Sequence, residues 1–252
     1  MLNLTSEQLR CVEEINKSIE SNNFMPFLLH GITGSGKTLV YINTIKKALE
    51  LKKTVLLLVP EISLTPQLID RFNVVFPNLI AVFHSKMSNG ERYDSWRSVI
   101  NNEVKIVIGA RSALFMPLNN LGLIIIDEEH DSSYKQENSP RYNGRDSAIY
   151  RAKLNNAVMV LGSATPSVES YHNALSGKYE LISLPERVSG TTMPDIKIID
   201  LLKRDKEDFD RSKLDFFDTI DKVKIRFLSK ELIFEIGERL SKGESTIILQ
   251  NR

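Results

Sequence analysis

The sequence predicts an α/β fold with a doubly wound, mostly parallel sheet. Three observations carry this. Short apolar runs such as Thr54–Val59, Leu123–Asp127 and Val158–Gly162 read as strands covered on both faces. Amphipathic helical patterns alternate with them, which is the signature of parallel strands joined by crossovers. The stretch Gly31-Ile32-Thr33-Gly34-Ser35-Gly36-Lys37-Thr38 reads G-x-x-x-x-G-K-T and lies between an apolar run, Phe27–Leu29, and a helical pattern of Val40, Ile42, Ile45 and Leu49. That strand–loop–helix setting is the context a phosphate-binding P-loop requires, so the expected fold is of the P-loop NTPase type.

The chemistry follows from the backbone. Glycines at 31, 34 and 36 let the loop curl so that successive N–H groups, Ser35 among them, point inward at phosphate oxygens. Lys37 is placed to reach the β- and γ-phosphates and the Thr38 hydroxyl to hold Mg²⁺. These residues predict binding of ATP or a similar nucleoside triphosphate with Mg²⁺.

Size and composition set the remaining bounds. The chain has 252 residues, enough for one substantial core. With 42% hydrophobic and 26% charged residues it matches an ordinary soluble globular protein. A formal net charge of +1 gives no global attraction to nucleic acid, so such binding must come from local patches. The single cysteine, Cys11, excludes an internal disulfide framework and a multi-cysteine zinc site, and its apolar helical neighbours predict a buried side chain. No run approaches the length of a membrane span and no signal peptide is evident, so a cytoplasmic location is expected.

Taken in order, Thr5-Ser6-Glu7-Gln8 has the capping-box form and predicts a helix through about Glu20, with Leu9, Val12, Ile15 and Ile19 on one face. Gln8 has two readings, closing the cap or also meeting an adenine edge. After the P-loop helix come the strand 54–59, a helix around Pro66–Phe76, an apolar run 79–83, and a helix pattern carrying Tyr93, Trp96 and Ile100. Lys105–Gly109, Leu123–Asp127 and Val158–Gly162 read as strands, with a helix from Ser167.

Leu123–Ile126 runs into Asp127-Glu128-Glu129-His130, so a buried strand delivers acids at its carboxyl end, where ligands of open α/β sheets collect. Asp127 is placed to hold Mg²⁺ through its water shell, and Glu128 to orient and deprotonate an attacking water. An acidic helix start is the plainer alternative, but pairing with a P-loop favours the catalytic one. Ser163-Ala164-Thr165 again follows a strand; by themselves Ser163 and Thr165 could simply cap the next helix.

In this order G-x-x-x-x-G-K-T, D-E-E-H and S-A-T resemble the first, RecA-like motor lobe of a superfamily-two helicase. Val59–Gln67, His84-Ser85, Gly109–Ala113, Ser132–Gln136 and Pro140–Asp146 narrow the resemblance to the PriA-type helicase family, which restarts stalled replication forks. The resemblance covers nearly all of the chain. It implies a DNA-dependent ATPase and 3′-to-5′ DNA helicase, with single-stranded and forked DNA, primosome proteins and single-strand-binding protein as partners. It implies a coupling role for His130, Ser163 and Thr165, and phosphate contacts from Arg111 and Ser112, which could otherwise be a strand-end cap. It makes Tyr134–Asp146 an aromatic-rich loop that senses DNA. Tyr134, Lys135, Arg141, Tyr142 and Arg145 in that loop combine stacking faces and positive charge, a chemistry suited to single strands.

Against the family pattern, the motor lobe begins at about Leu4, and Thr246–Arg252 resembles the first strand of a second lobe. The expected organisation is an ATP-binding lobe over 1–200, a charged linker over 201–228, and the opening of a second lobe over 229–252. Within the linker, Lys203–Lys224 carries seven charges of each sign in twenty-two residues, which argues against a DNA patch and for a mobile insert. Ser229–Ser241 reads as an amphipathic helix. The resemblance places a catalytic arginine in the second lobe and a zinc module in a further part. The chain is thus expected to behave as a monomeric fragment that binds nucleotide and hydrolyses it poorly.

Overall fold

Strands buried on both faces need apolar side chains throughout, and five consecutive buried residues in Thr54–Leu58 show the rule at work. The computed structural model describes residues 4–188, 196–200 and 228–249. The chain divides into two compact units, Met1–Thr192 and Met193–Arg252.

The first unit contains β1 (Met25–Gly31), β2 (Thr54–Leu58), β3 (Ile80–Phe83), β4 (Ile106–Gly109) and β5 (Leu121–Asp127), then a short antiparallel pair, β6 (Lys135–Gln136) and β7 (Tyr142–Asn143), then β8 (Val158–Ser163) and β9 (Glu180–Leu184). Seven strands make one sheet in the order β3-β4-β2-β5-β8-β1-β9, and every neighbouring pair is parallel. The doubly wound sheet expected from the apolar runs is therefore present.

Helices α1 (Ser6–Ser21), α2 (Lys37–Glu50), α3 (Pro66–Val75), α4 (Asn89–Ile100), α5 (Gly144–Leu154) and α6 (Val168–Leu175) flank the sheet. Strand periodicity divides the core in two. Val55, Leu57, Leu123 and Ile125 join Cys11, Ile15, Val40, Ile45 and Phe72 on one face. Leu56, Leu58, Ile124 and Ile126 join Val99, Leu114, Ala148, Ala152 and Ala174 on the other. Burial pushes the Cys11 thiol up to about 11, so this cysteine is an inert packing residue.

Two predicted helix faces differ from those observed. In α1 the capping box between Thr5 and Gln8 forms, but Leu9 is 47% exposed, and Gln8 and Cys11 turn inward with Val12, Ile15 and Ile19. The reason is polar: the buried Gln8 amide donates to the Ser35 carbonyl at 2.8 Å, which rotates the helix toward the P-loop. In α4, Tyr93 is 60% exposed and Trp96 and Ile100 also face outward; Val99 is the buried position. This helix packs beside β3 at the sheet edge, with Ser95 Oγ donating to the Val82 carbonyl, and so buries only a narrow line.

The short β6–β7 pair, β9 and α5 were not legible. β9 is an alternating edge strand, and α5 buries little beyond Gly144, Ala148 and Ala152, too small a stripe to register as a helical face. Asn143 caps α5 by accepting from the Arg145 and Asp146 N–H groups. In the second unit the predicted helix is present as α7 (Lys230–Ser241) with Ser229 at its N-cap. Thr246–Leu249, expected as a strand, has no pairing neighbour among the described residues and is irregular. Lys203–Lys224 and residues 250–252 lie outside the described residues. Among the described residues no helix is long and apolar enough to cross a membrane.

Truncating Ile125→Ala in the sheet centre should cost about 2–5 kcal/mol, whereas Tyr93→Ala on the outer face of α4 should change stability by no more than about 0.5 kcal/mol. Urea unfolding of both variants checks the assignment of the α4 face.

Candidate nucleotide site and nucleic-acid face

The parallel ladder sets the site. Asp127 pairs with Gly162 and His30 with Ser163, so the ends of β5, β8 and β1 lie side by side. The three nucleotide motifs thereby occupy one half of the carboxyl edge. Leu58 and Phe83 both pair with Gly109, so the stretches after β2, β3 and β4 occupy the other half.

At the P-loop, Gly34 and Gly36 have φ of +83° and +82°, a conformation that strains any residue with a Cβ. A Cβ on Gly36 would also collide with the Gln8 amide. The loop opens α2 at Lys37, whose ammonium donates to the Gly31 carbonyl at 2.9 Å and lies 3.8 Å from Glu128 Oε1. A cavity of about 950 Å³ is lined by Gly34, Ser35, Lys37, Thr38, Asp127 and Glu128, with α2 and α3 forming a further wall. The Ser35 hydroxyl is buried and has no hydrogen-bond partner among the described residues. An unsatisfied buried hydroxyl is costly, and a phosphate oxygen in the loop would satisfy it. The donor set therefore fits a Mg²⁺-bound triphosphate. The Thr38 hydroxyl would hold the ion and Asp127 would act through its water shell; no cluster of three His, Cys, Asp or Glu side chains suited to a metal occurs among the described residues.

Gln8 serves the cap and braces the loop: Oε1 accepts from the Thr5 N–H at 3.0 Å while Nε2 holds the Ser35 carbonyl. One Nε2 hydrogen and one Oε1 lone pair remain for a further partner, and the side chain lines the cavity, so the cap and an adenine contact are compatible.

The acids occupy contrasting environments. Burial raises the Asp127 carboxyl above its usual range; Glu128 adds to the shift, while a hydrogen bond from the Tyr41 hydroxyl and the nearby Lys37 charge oppose it. Glu128 has φ of +45°, an uncommon conformation for a residue with a side chain, and the strain sits at the residue assigned to the attacking water. His130 Nδ1 lies 2.8 Å from Ser163 Oγ and 3.7 Å from Glu128 Oε2, and Ser163 Oγ accepts from the Thr165 N–H at 3.0 Å. The structure thus brings Glu128, His130, Ser163 and Thr165 into one chain of contacts.

Glu129 escaped the sequence reading. Its buried carboxylate accepts from the Ser167 N–H at 2.6 Å, the Ser167 hydroxyl at 3.1 Å, the Ser170 hydroxyl at 2.7 Å and Arg145 at 3.1 Å. This corrects Arg145 from a DNA contact to a structural partner: its guanidinium is turned inward to neutralise a buried acid. Tyr134 is also corrected. Its ring is buried and its hydroxyl donates to the Asp127 carbonyl at 2.7 Å, so it offers no stacking face.

The other loop residues remain at the surface. Lys135 and Arg141 are exposed, and Tyr142 is half-buried with Phe115 edge-on at 5.2 Å and the Arg111 guanidinium 5.8 Å above its ring. Arg111 donates to the Ser133 carbonyl at 2.8 Å, and also to the Lys135 carbonyl and the Gln136 side chain. A cleft of about 350 Å³ gathers Glu61, Ser85, Arg111, Ser112, Gln136 and Tyr142. The separated stretches after β2, β3 and β4 therefore converge beside the loop.

Removing Arg145 leaves the Glu129 carboxylate buried without its counter-charge, so Arg145→Ala should cost about 3–5 kcal/mol, while exposed Arg141→Ala should stay within about 0.5 kcal/mol; urea titration separates them. Because the folded-state pKa of Asp127 is raised, its ionised form destabilises the fold once pH exceeds that value, and the penalty vanishes below the unfolded-state pKa. Asp127→Asn should therefore unfold at higher urea than the parent at neutral pH, with the gain disappearing as pH falls through the ordinary aspartate range.

Comparison with known proteins agrees with this geometry. A family model described as "Type III restriction enzyme, res subunit" matches residues 1–168. The replication restart protein PriA of Bacillus subtilis is 45% identical over 251 residues, covering 100% of this chain and 29% of that protein. Its counterpart from Chlamydia trachomatis is 45% identical over 250 residues, 99% of this chain and 31% of that protein. The chain thus spans about three tenths of the length of these curated relatives. Among solved structures, RecG bound to a three-way DNA junction superposes with a TM-score of 0.57 at 25% identity, covering 76% of this chain and 25% of that one. A hypothetical ATP-dependent RNA helicase from Sulfolobus tokodaii shares the fold with a TM-score of 0.54 at 20% identity, covering 73% of this chain and 53% of that one. The chain belongs to the family described as Type III restriction enzyme, res subunit, and along its whole length is similar to replication restart protein PriA.

Proposed function

We propose that this chain is the ATP-binding motor lobe of a DNA-dependent ATPase and 3′-to-5′ DNA helicase of the replication-restart type. The observation that carries the reading is the meeting of the P-loop after β1, Ser163 of β8 and Asp127–Glu128 of β5 at three adjacent strand ends, beside a second row that gathers Glu61, Ser85, Arg111 and Ser112. A bound Mg²⁺ would supply charge neutralisation on the phosphates. The protein's own groups do the rest. The P-loop N–H groups and Lys37 position the phosphates, Thr38 and Asp127 orient the ion, and Glu128 takes a proton from the attacking water. His130, Ser163 and Thr165 tie Glu128 to the strand end next to the P-loop.

The reading assigns 1–200 to the lobe, 201–228 to a linker and 229–252 to the opening of a second lobe. By the family resemblance, that second lobe supplies a catalytic arginine. Such an arginine changes turnover by about 10³–10⁵ in related NTPases, so this chain should bind Mg-ATP and turn it over slowly. In the parent protein we place single-stranded and forked DNA, primosome proteins and single-strand-binding protein as partners, with zinc in a separate module and the whole acting in the cytoplasm. Similarity to PriA relatives over the full chain and to RecG over three quarters of it supports DNA rather than RNA as the track.

The test is nucleotide binding and ATP turnover by the 252-residue chain, alone and with single-stranded DNA or RNA, beside Lys37→Ala. The expected result is Mg-ATP binding that Lys37→Ala abolishes, with turnover close to background. Brisk turnover by the isolated chain would overturn the two-lobe account, and absence of nucleotide binding would overturn the motor reading.

A further inference from the structure

The Mg²⁺-side carboxylate is reached by a side chain that no motif includes. Tyr41 lies on α2 four residues after Lys37, so one helical turn separates the phosphate-facing ammonium from a phenol on the same face. Its ring is buried, and its hydroxyl donates to Asp127 Oδ1 at 2.9 Å. A phenol at neutral pH has one proton to donate, and it is committed here.

The opposite wall is shaped to admit this contact. Gly162 is the ladder partner of Asp127 on β8. A Cβ built on it would collide with the Tyr41 hydroxyl, would lie 2.9 Å from Tyr41 Cζ, and would stand 3.5 Å from Asp127 Oδ1. Gly162 has no left-handed φ to explain a glycine. Close approach of the phenol does explain it.

We infer that Tyr41 is a positioning residue for Asp127: it holds Oδ1, leaving Oδ2 to face the metal side, and position 162 is glycine so that it can. This rests on the nucleotide-site reading above. A carboxylate that turns freely about its Cβ–Cγ bond presents either oxygen and must be ordered when the ion arrives. One held by a rigid, buried donor is ordered beforehand; losing the outer partner of a direct ligand lowers metal affinity by about 10–100-fold, and for an acid acting through water the low end applies. Because Tyr41 and Lys37 share α2, the helix that binds phosphate also sets the orientation of the acid on β5.

The test is Mg²⁺ titration of a fluorescent ATP analogue bound to the 252-residue chain, with parallel binding in EDTA. Tyr41→Phe keeps the ring and removes the donor. It should raise the Mg²⁺ concentration for half-maximal effect about 10-fold and leave the EDTA affinity as in the parent. Gly162→Ala should reproduce the shift by displacing the phenol. In an Asp127→Asn background, adding Tyr41→Phe should produce no further change, because the group it positions is gone. A parental Mg²⁺ midpoint in Tyr41→Phe, or an equal shift in both backgrounds, would overturn the inference while leaving the nucleotide site standing. If the parent chain itself shows no Mg²⁺-dependent nucleotide binding, the site reading fails and takes the inference with it.

Discussion

The β5–β8–β1 ladder is the constraint on which the rest of the structure depends. Parallel strands deliver their carboxyl ends to one edge, and the register opposes Asp127 to Gly162 and Ser163 to His30. Residues as far apart in the chain as His30 and Ser163 thereby become neighbours in the ladder. Their side chains then need only local adjustment: a left-handed Glu128, a glycine at 162, and a P-loop braced from behind by Gln8. Sliding a strand of this ladder by one residue would turn its side chains to the opposite face.

Around that edge Glu128 and His130 are partly exposed, whereas Glu129 and Ser163 are buried and paired. Glu129 is the clearest case. Four hydrogen-bond contacts surround one carboxylate and join the end of β5 to the start of α6 and to α5. A buried network of this kind contributes little net stability relative to an apolar replacement, but it is costly to break and admits few alternative geometries. The same logic separates the two tyrosines beside Asp127. Tyr41 bonds a carboxylate oxygen, whereas Tyr134 bonds the backbone carbonyl. The former bears on the orientation of the acid, and the latter anchors the stretch leading to β6.

That anchor joins the stretch leading to β6 and β7 to the carboxyl end of β5. Arg111 grips the carbonyls on both sides of Tyr134, and Tyr134 in turn grips Asp127. Two contacts thus connect the Arg111 side chain to the Asp127 backbone carbonyl. The exposed residues of the same region, Lys135 and Arg141, lie on the solvent side of this link, where a polyanion can approach.

The sequence alone determined the parallel α/β class, the P-loop, the acidic strand end and the S-A-T turn, because each depends on local patterns: continuous apolar runs, glycine spacing, acids directly after a strand. It also placed most helices, through caps such as Thr5 with Gln8 and through Ser229. Only the tertiary structure decided which polar side chains face inward. Tyr134 and Arg145 have the composition of a nucleic-acid contact, and nothing nearby in the chain announces that one meets the Asp127 carbonyl and the other Glu129. The outward turn of Tyr93, Trp96 and Ile100 depends on α4 lying beside an edge strand, which is a property of strand order rather than of helical period. Tyr41 and Gly162 likewise gain their meaning only when β8 lies between β5 and β1, since a helix residue and a strand glycine 121 positions apart share a contact that no local pattern encodes.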